Sequence, residues 1–229
     1  MKSALVRPLC RGATGLLAAA VLSVCLHASE PVASADWSEA MGNFAQADAA
    51  QSSSPGTVLF VGSSSIRLWS TLAADFPEVP VLNRGFGGSQ IADSLVHFDH
   101  LVTPHHPRLI VFYAGTNDLA AGKSPEEVAA DFREFCEKVH ASRPDTRILF
   151  VSIQLAPARW QLRDKMALTN IYIAAFCAAD PRRVFVETNA AMLAPDGSAR
   201  LEFFVEDRLH LSPAGYAMWR KILSSLLVQ

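Results

Sequence analysis

The sequence predicts an α/β fold built on a parallel sheet of five strands, with helices on both faces. Short, continuous apolar runs recur at residues 57–61, 79–83, 109–113, 148–153 and 184–187. They have strand length and carry branched and aromatic residues. Segments whose apolar residues are spaced by threes and fours lie between them, and strands alternating with helices form a sheet buried on both sides. Polar or glycine-rich segments follow strands one, two, three and five. In open parallel sheets, such segments gather at the carboxyl ends of the strands.

Residues 36–56 are rich in Ala, Gln, Ser and Asp and read as a helical lead-in and a loop. A helix is expected from about Ile66, after the first strand. The turn at Asn83-Arg84-Gly85-Phe86-Gly87-Gly88 precedes a helix through Ile91, Leu95, Phe98 and Leu101. Ser124-Pro125-Glu126-Glu127 is a helix start, with a cap, a proline at the first position and acids in the first turn. That helix carries Val128, Phe132, Phe135, Cys136 and Val139. Residues 156–163 read as a loop, and the next helix runs through Leu168, Ile171, Ala175 and Phe176. Ser212-Pro213 opens the last helix, with Tyr216, Trp219, Ile222, Leu226 and Leu227 on its apolar side.

With 229 residues, half of them hydrophobic, the chain can build one domain with a sizeable core. A net charge of −2 gives no basic footprint, so nucleic acid is not an expected partner. Residues 1–35 read as a secretory signal peptide and 36–229 as the domain. Lys2, Arg7 and Arg11 form a basic start, residues 16–26 an uncharged, mostly apolar run, and Ala33-Ser34-Ala35 a cleavage site. The run is short for a spanning helix, so an uncleaved anchor is the rival reading and stable membrane insertion of the mature chain is not expected. Val24 before Cys25 argues against lipid attachment. The expected location is the periplasm or the medium.

Cys136 and Cys177 remain in the mature chain, as a disulfide or as buried thiols. No Cys or His spacing marks a zinc site, and no metal or cofactor is expected. His105-His106, between Pro104 and Pro107, reads as a tight exposed turn.

Four segments carry candidate chemistry. In Gly62-Ser63-Ser64-Ser65, a serine between strand and helix can be a nucleophile, with the helix N-terminus favouring developing negative charge. A helix cap or a phosphate loop would use the same residues. Gly87-Gly88 can expose backbone N–H groups, or simply turn the chain. Gln90 stands where a dinucleotide fingerprint needs its third glycine. Asn117, in Gly115-Thr116-Asn117-Asp118, can donate amide hydrogens to an oxyanion. In Asp207-Arg208-Leu209-His210, His210 can act as base and Asp207 can orient it. Each segment alone is weak, and their convergence at one sheet edge carries the reading.

In this order the four segments resemble the SGNH hydrolases, the GDSL family of esterases and lipases, from about Thr57 to the last helix. The resemblance implies a three-layer αβα sandwich of flavodoxin-like type. It implies Ser64 as nucleophile, by ungapped alignment of Gly62-Ser63-Ser64 with the family's Gly-Asp-Ser. It implies the Ser64 N–H, the Gly88 N–H and the Asn117 side chain as oxyanion hole, with His210 as base and Asp207 as its partner. Ser63 replaces the family's Asp, and Gly-Ser-Ser-Ser with Ile66-Arg67-Leu68-Trp69 resembles a variant of the first block. Arg67 and Trp69 are expected to be structural, and Phe86 and Arg159-Trp160 to line the pocket.

The expected function is therefore a secreted, metal-independent serine esterase acting on a small-molecule, carbohydrate or lipid ester, with short acyl chains favoured because no lid insertion is visible. Lysophospholipase, thioesterase or acyltransferase activity would use the same site. A non-catalytic acyl-glycan-binding module and a nucleotide or flavin binder are the rival classes.

Overall fold

The computed structural model describes Met1 and residues 36–228 apart from 51, 52 and 55. The expected signal segment thus lies outside the described residues except for Met1. Five strands, β1 (Val58–Gly62), β2 (Val81–Gly85), β3 (Leu109–Tyr113), β4 (Arg147–Val151) and β5 (Arg183–Val186), pair in the order β2-β1-β3-β4-β5. Every pair is parallel. The helices are α1 (Ser38–Ala50), α2 (Ser64–Arg67), α3 (Leu72–Asp75), α4 (Ile91–Val96), α5 (Phe98–Leu101), α6 (Thr116–Ala120), α7 (Pro125–Ser142), α8 (Arg163–Ala178), α9 (Asn189–Met192) and α10 (Pro213–Leu227). None is long and apolar enough to cross a membrane among the described residues.

Alternation along the strands divides the core into two layers. Leu59 and Val61, Ile110 and Phe112, and Ile148 and Phe150 meet residues of α1, α4, α5, α7 and α8. Val58 and Phe60, Leu109 and Val111, and Leu149 and Val151 meet α2, α3, α9 and α10. The result is the expected three-layer α/β sandwich. From β1 the chain goes out to β2 and returns past β1 to β3, so adjacent connections leave in opposite directions. A crevice opens there, at the carboxyl ends of β1 and β3.

Local chemistry fixes the helix ends that matter. Glu127 N–H donates to Ser124 Oγ at 3.2 Å and Ser124 N–H donates to Glu127 Oε2 at 2.7 Å, a reciprocal capping box opening α7. Gly215 N–H donates to Ser212 Oγ at 3.2 Å, opening α10 directly after His210. The expected helix from Ile91 to Leu101 is two helices. His97, edge-on to Phe86 at 6.0 Å, has ψ 16° and ends α4, and α5 then buries Phe98 against Phe135. The helix expected from Ile66 is a single turn from Ser64. Beyond it Trp69 is buried and donates from Nε1 to Asp75 at 2.7 Å. Residues expected as a loop at 156–163 contain a 3₁₀ turn, Pro157–Leu162, which runs directly into α8.

His105 is a correction. His106 is exposed as expected, but His105 is buried. Its Nε2 accepts from Arg84 Nε at 3.3 Å and lies 3.5 Å from Asp48. Burial and the Arg84 guanidinium hold the imidazole below its ordinary pKa, against the pull of Asp48. The buried Arg84 charge needs this company, because an isolated buried ion is costly. Cys136 and Cys177 are buried and free; burial pushes both thiols up, Cys177 to about 11.

The Phe112 ring sits 4.6 Å from Phe135 and 5.6 Å from Phe132, in the middle of the larger core layer. Phe112→Ala is expected to lower the unfolding free energy by about 3–5 kcal/mol in urea denaturation, through lost burial and a cavity. A loss below about 1 kcal/mol would mean that this layer is not close-packed.

Candidate active site

At Gly62, φ is +142° and an added Cβ would overlap the Tyr113 carbonyl oxygen, so only glycine fits. The same residue joins three loops. Ser63 N–H donates to Tyr113 O at 3.0 Å and Phe86 N–H donates to Gly62 O at 2.9 Å. The chain then turns into α2, which leaves Ser63 and Ser65 buried and Ser64 partly open at the first position of the helix.

Ser64 Oγ lies 2.9 Å from His210 Nε2, and His210 Nδ1 lies 2.6 Å from Asp207 Oδ2. Asp207 Oδ1 also accepts the N–H groups of Leu209 and His210, at 2.8 and 2.9 Å. Arg208 takes the left-handed conformation, φ 56°, that lets the chain wrap around this carboxylate. The loop is secured from outside: Val205 N–H donates to His210 O at 2.9 Å, Gln154 Nε2 to Leu209 O at 2.7 Å and Ala158 N–H to Arg208 O at 3.0 Å. Burial tends to raise the Asp207 pKa. The His210 N–H, its imidazole and the Leu209 N–H outweigh that and hold the carboxyl below its ordinary value.

The donors stand opposite. Gly88, at φ +82°, and Ser64 both have backbone N–H groups without an acceptor among the described residues. Asn117 Nδ2 donates to Ser89 O at 3.0 Å and Asn117 Oδ1 accepts from Arg159 Nη1 at 2.9 Å. These bonds fix the amide's orientation and leave one of its two hydrogens unused. Behind it Asp118 is buried and accepts the Ile91 N–H at 3.0 Å, tying α6 to the start of α4. Burial raises its pKa, opposed by the Ile91 N–H and Lys123. The four segments expected at one edge do meet there. A hydroxyl within reach of an oriented imidazole, faced by unpaired N–H groups, can move a proton and hold a developing oxyanion.

A cleft of about 620 Å³ opens over Ser64, Gly88, Asn117 and His210. A second, much smaller space of about 10 Å³ lies beneath, among Ser64, Tyr113, Asn117, Gln154 and Arg159. Arg67, expected to be structural, is exposed on the cleft wall, whereas Trp69 is in the core. Phe86 is not a wall: it is buried behind Trp37, with ring centroids 5.3 Å apart. Arg159 lines the cleft and Trp160 does not. Sequence reasoning missed Trp37. Its only signal was a lone tryptophan in a polar, alanine-rich segment. The bond from Arg159 to Asn117 had no local signal at all.

The fold and this serine–histidine–aspartate geometry define a hydrolase-like α/β protein. The model of the GDSL-like Lipase/Acylhydrolase family matches residues 52–218, and the chain belongs to that family. No curated protein sequence gives a significant match. Solved structures do. A GDSL-like lipase from Bacteroides thetaiotaomicron is 20% identical, with 82% of this chain and 97% of that one covered at a TM-score of 0.70. A mutant form of a Geobacillus acetyl-xylooligosaccharide esterase is 18% identical, with 76% and 94% covered at 0.63. A family 3 carbohydrate esterase from Clostridium thermocellum is 15% identical, with 75% and 96% covered at 0.59. At these identities the likeness is one of fold.

The bonds around Asp207 set a pH expectation. Its folded pKa lies below the unfolded value, so the stabilisation they give is present above the unfolded pKa and is lost as pH falls through the folded one. A ¹³C titration of the Asp207 carboxyl is expected to give a midpoint below the ordinary value of about 3.9. A midpoint at or above it would contradict the hydrogen-bond pattern.

Proposed function

We propose that the protein is an exported serine esterase that cleaves carboxylic esters of short acyl chains through an acyl-Ser64 intermediate. The observation that carries this reading is the unbroken contact from Ser64 Oγ through His210 to Asp207. His210 Nε2 takes the Ser64 proton as Oγ attacks the ester carbonyl. Asp207, held on the far nitrogen, fixes the tautomer and stabilises the imidazolium. The N–H groups of Ser64 and Gly88 and the free Asn117 amide hydrogen receive the oxyanion. His210 returns the proton to the departing alcohol. It then activates a water that releases the acid from Ser64.

The unequal spaces beside Ser64 support the acyl preference. The alcohol half must leave and be replaced by water, which suits the open cleft. The acyl half then faces the space of about 10 Å³, which has room for little beyond a methyl group. Esterases of acetylated carbohydrates among the similar folds support acetyl esters as a substrate class. The basic start and apolar run of the first 35 residues support export to the periplasm or the medium.

Hydrolysis of p-nitrophenyl acetate tests the reading. Ser64→Ala is expected to cut kcat/KM by about 10⁴-fold or more, and Asn117→Ala by about a hundred- to a thousand-fold in kcat. A Ser64→Ala variant that folds and keeps its activity would contradict the assignment. Across p-nitrophenyl esters, acetate is expected to exceed octanoate by more than about tenfold, because forcing a longer chain into so small a space costs about 1–3 kcal/mol. The reverse order would contradict the short-chain reading.

A further inference from the structure

The matched family region begins at residue 52, after α1 has ended at Ala50. Yet α1 and Trp37, the residue just before it, form one wall of the cleft: Trp37, Glu39, Ala40 and Asn43 line it together with Ser64 and His210. The wall is docked firmly. Asp48 pairs with the buried Arg84 of β2, and the Arg84 guanidinium stacks over the Phe44 ring at 4.8 Å. Met41 is buried, and Trp37 meets Phe86 edge-on. The indole lies beside Gly88, since a Cβ there would stand 3.5 Å from Trp37 Cη2.

We propose that α1 is the alcohol-binding wall of the cleft, that Trp37 is its specificity-determining residue, and that the alcohol is polyhydroxylated, a sugar unit. The inference rests on the esterase reading above and deepens it. An ester bound at Ser64 sends its acyl half toward the smaller space and its alcohol half into the open cleft, where α1 stands. The chemistry of the wall selects the alcohol. An indole offers an apolar face to the C–H side of a sugar ring. Around it the side chains of Glu39, Asn43 and Arg67 line the cleft without a hydrogen-bond partner among the described residues, and they suit hydroxyl groups. A long aliphatic alcohol would meet these polar groups without satisfying them.

The test compares kcat/KM for an O-acetylated methyl glucoside and for ethyl acetate, which share the acyl group and differ in the alcohol. The ratio of the two is expected to fall about tenfold in Trp37→Ala, through a higher KM for the sugar ester, and to recover in Trp37→Phe. Asn43→Ala, on the exposed side of α1, is expected to lower the same ratio about threefold, and it serves if Trp37→Ala does not fold. A ratio unchanged in both variants overturns the inference, because a residue that merely supports the Gly88 loop would affect both esters alike. A wild-type protein that hydrolyses neither ester overturns the esterase reading instead.

Discussion

The site depends on how closely the end of β1 passes the end of β3. Gly62 has no side chain, and the Tyr113 carbonyl occupies the place where one would be. This contact puts the Ser63 N–H on Tyr113 O, and the Gly62 carbonyl receives the Phe86 N–H from the loop after β2. Three loops from the three adjacent strands are thereby locked in one register, Gly62 facing Gly85 on one side and Tyr113 on the other. A displacement of any one would move Ser64, Gly88 or Asn117 relative to the others. Hydroxyl–imidazole contacts tolerate little of that, since hydrogen bonds weaken beyond about 3.2 Å.

Two aspartates show how environment separates similar groups. Asp118 is fully buried, its pKa raised by burial, and it serves as a structural acceptor for the first N–H of α4. Asp207 is near the surface and surrounded by donors, which keep it ionised. The charge beside His210 therefore sits on the aspartate that holds it at less cost. Arg159 belongs to the same electrostatic pattern. Burial lowers its pKa, but a guanidinium stays charged, so its bond to Asn117 Oδ1 draws electrons from the amide and makes the free N–H a better donor.

The strands were legible because they are buried on both faces, so their apolar runs are continuous and bounded by polar turns. Their ends shift by one or two residues, as Val81–Gly85 does against the 79–83 read from sequence. The meeting of Ser64, Gly88, Asn117, Asp207 and His210 was legible because each lies in a segment that follows a strand or precedes a helix, positions that local pattern reveals. What was illegible depends on tertiary neighbours. Trp37 comes to the cleft because Asp48 binds Arg84, a pairing between residues 36 positions apart. His105 is buried for the same pair. The break at His97 comes from packing on Phe86, with no glycine or proline to announce it.

In the proposed mechanism the middle one of three consecutive serines is the nucleophile. The most direct measurement is covalent labelling with a fluorophosphonate, with the adduct located by peptide mass spectrometry in the wild type and in His210→Ala. About one phosphonyl group per chain is expected, carried by Ser64, with loss of labelling in the variant, because the hydroxyl is activated by its base. An adduct on Ser63 or Ser65, or labelling that persists without His210, would contradict that mechanism.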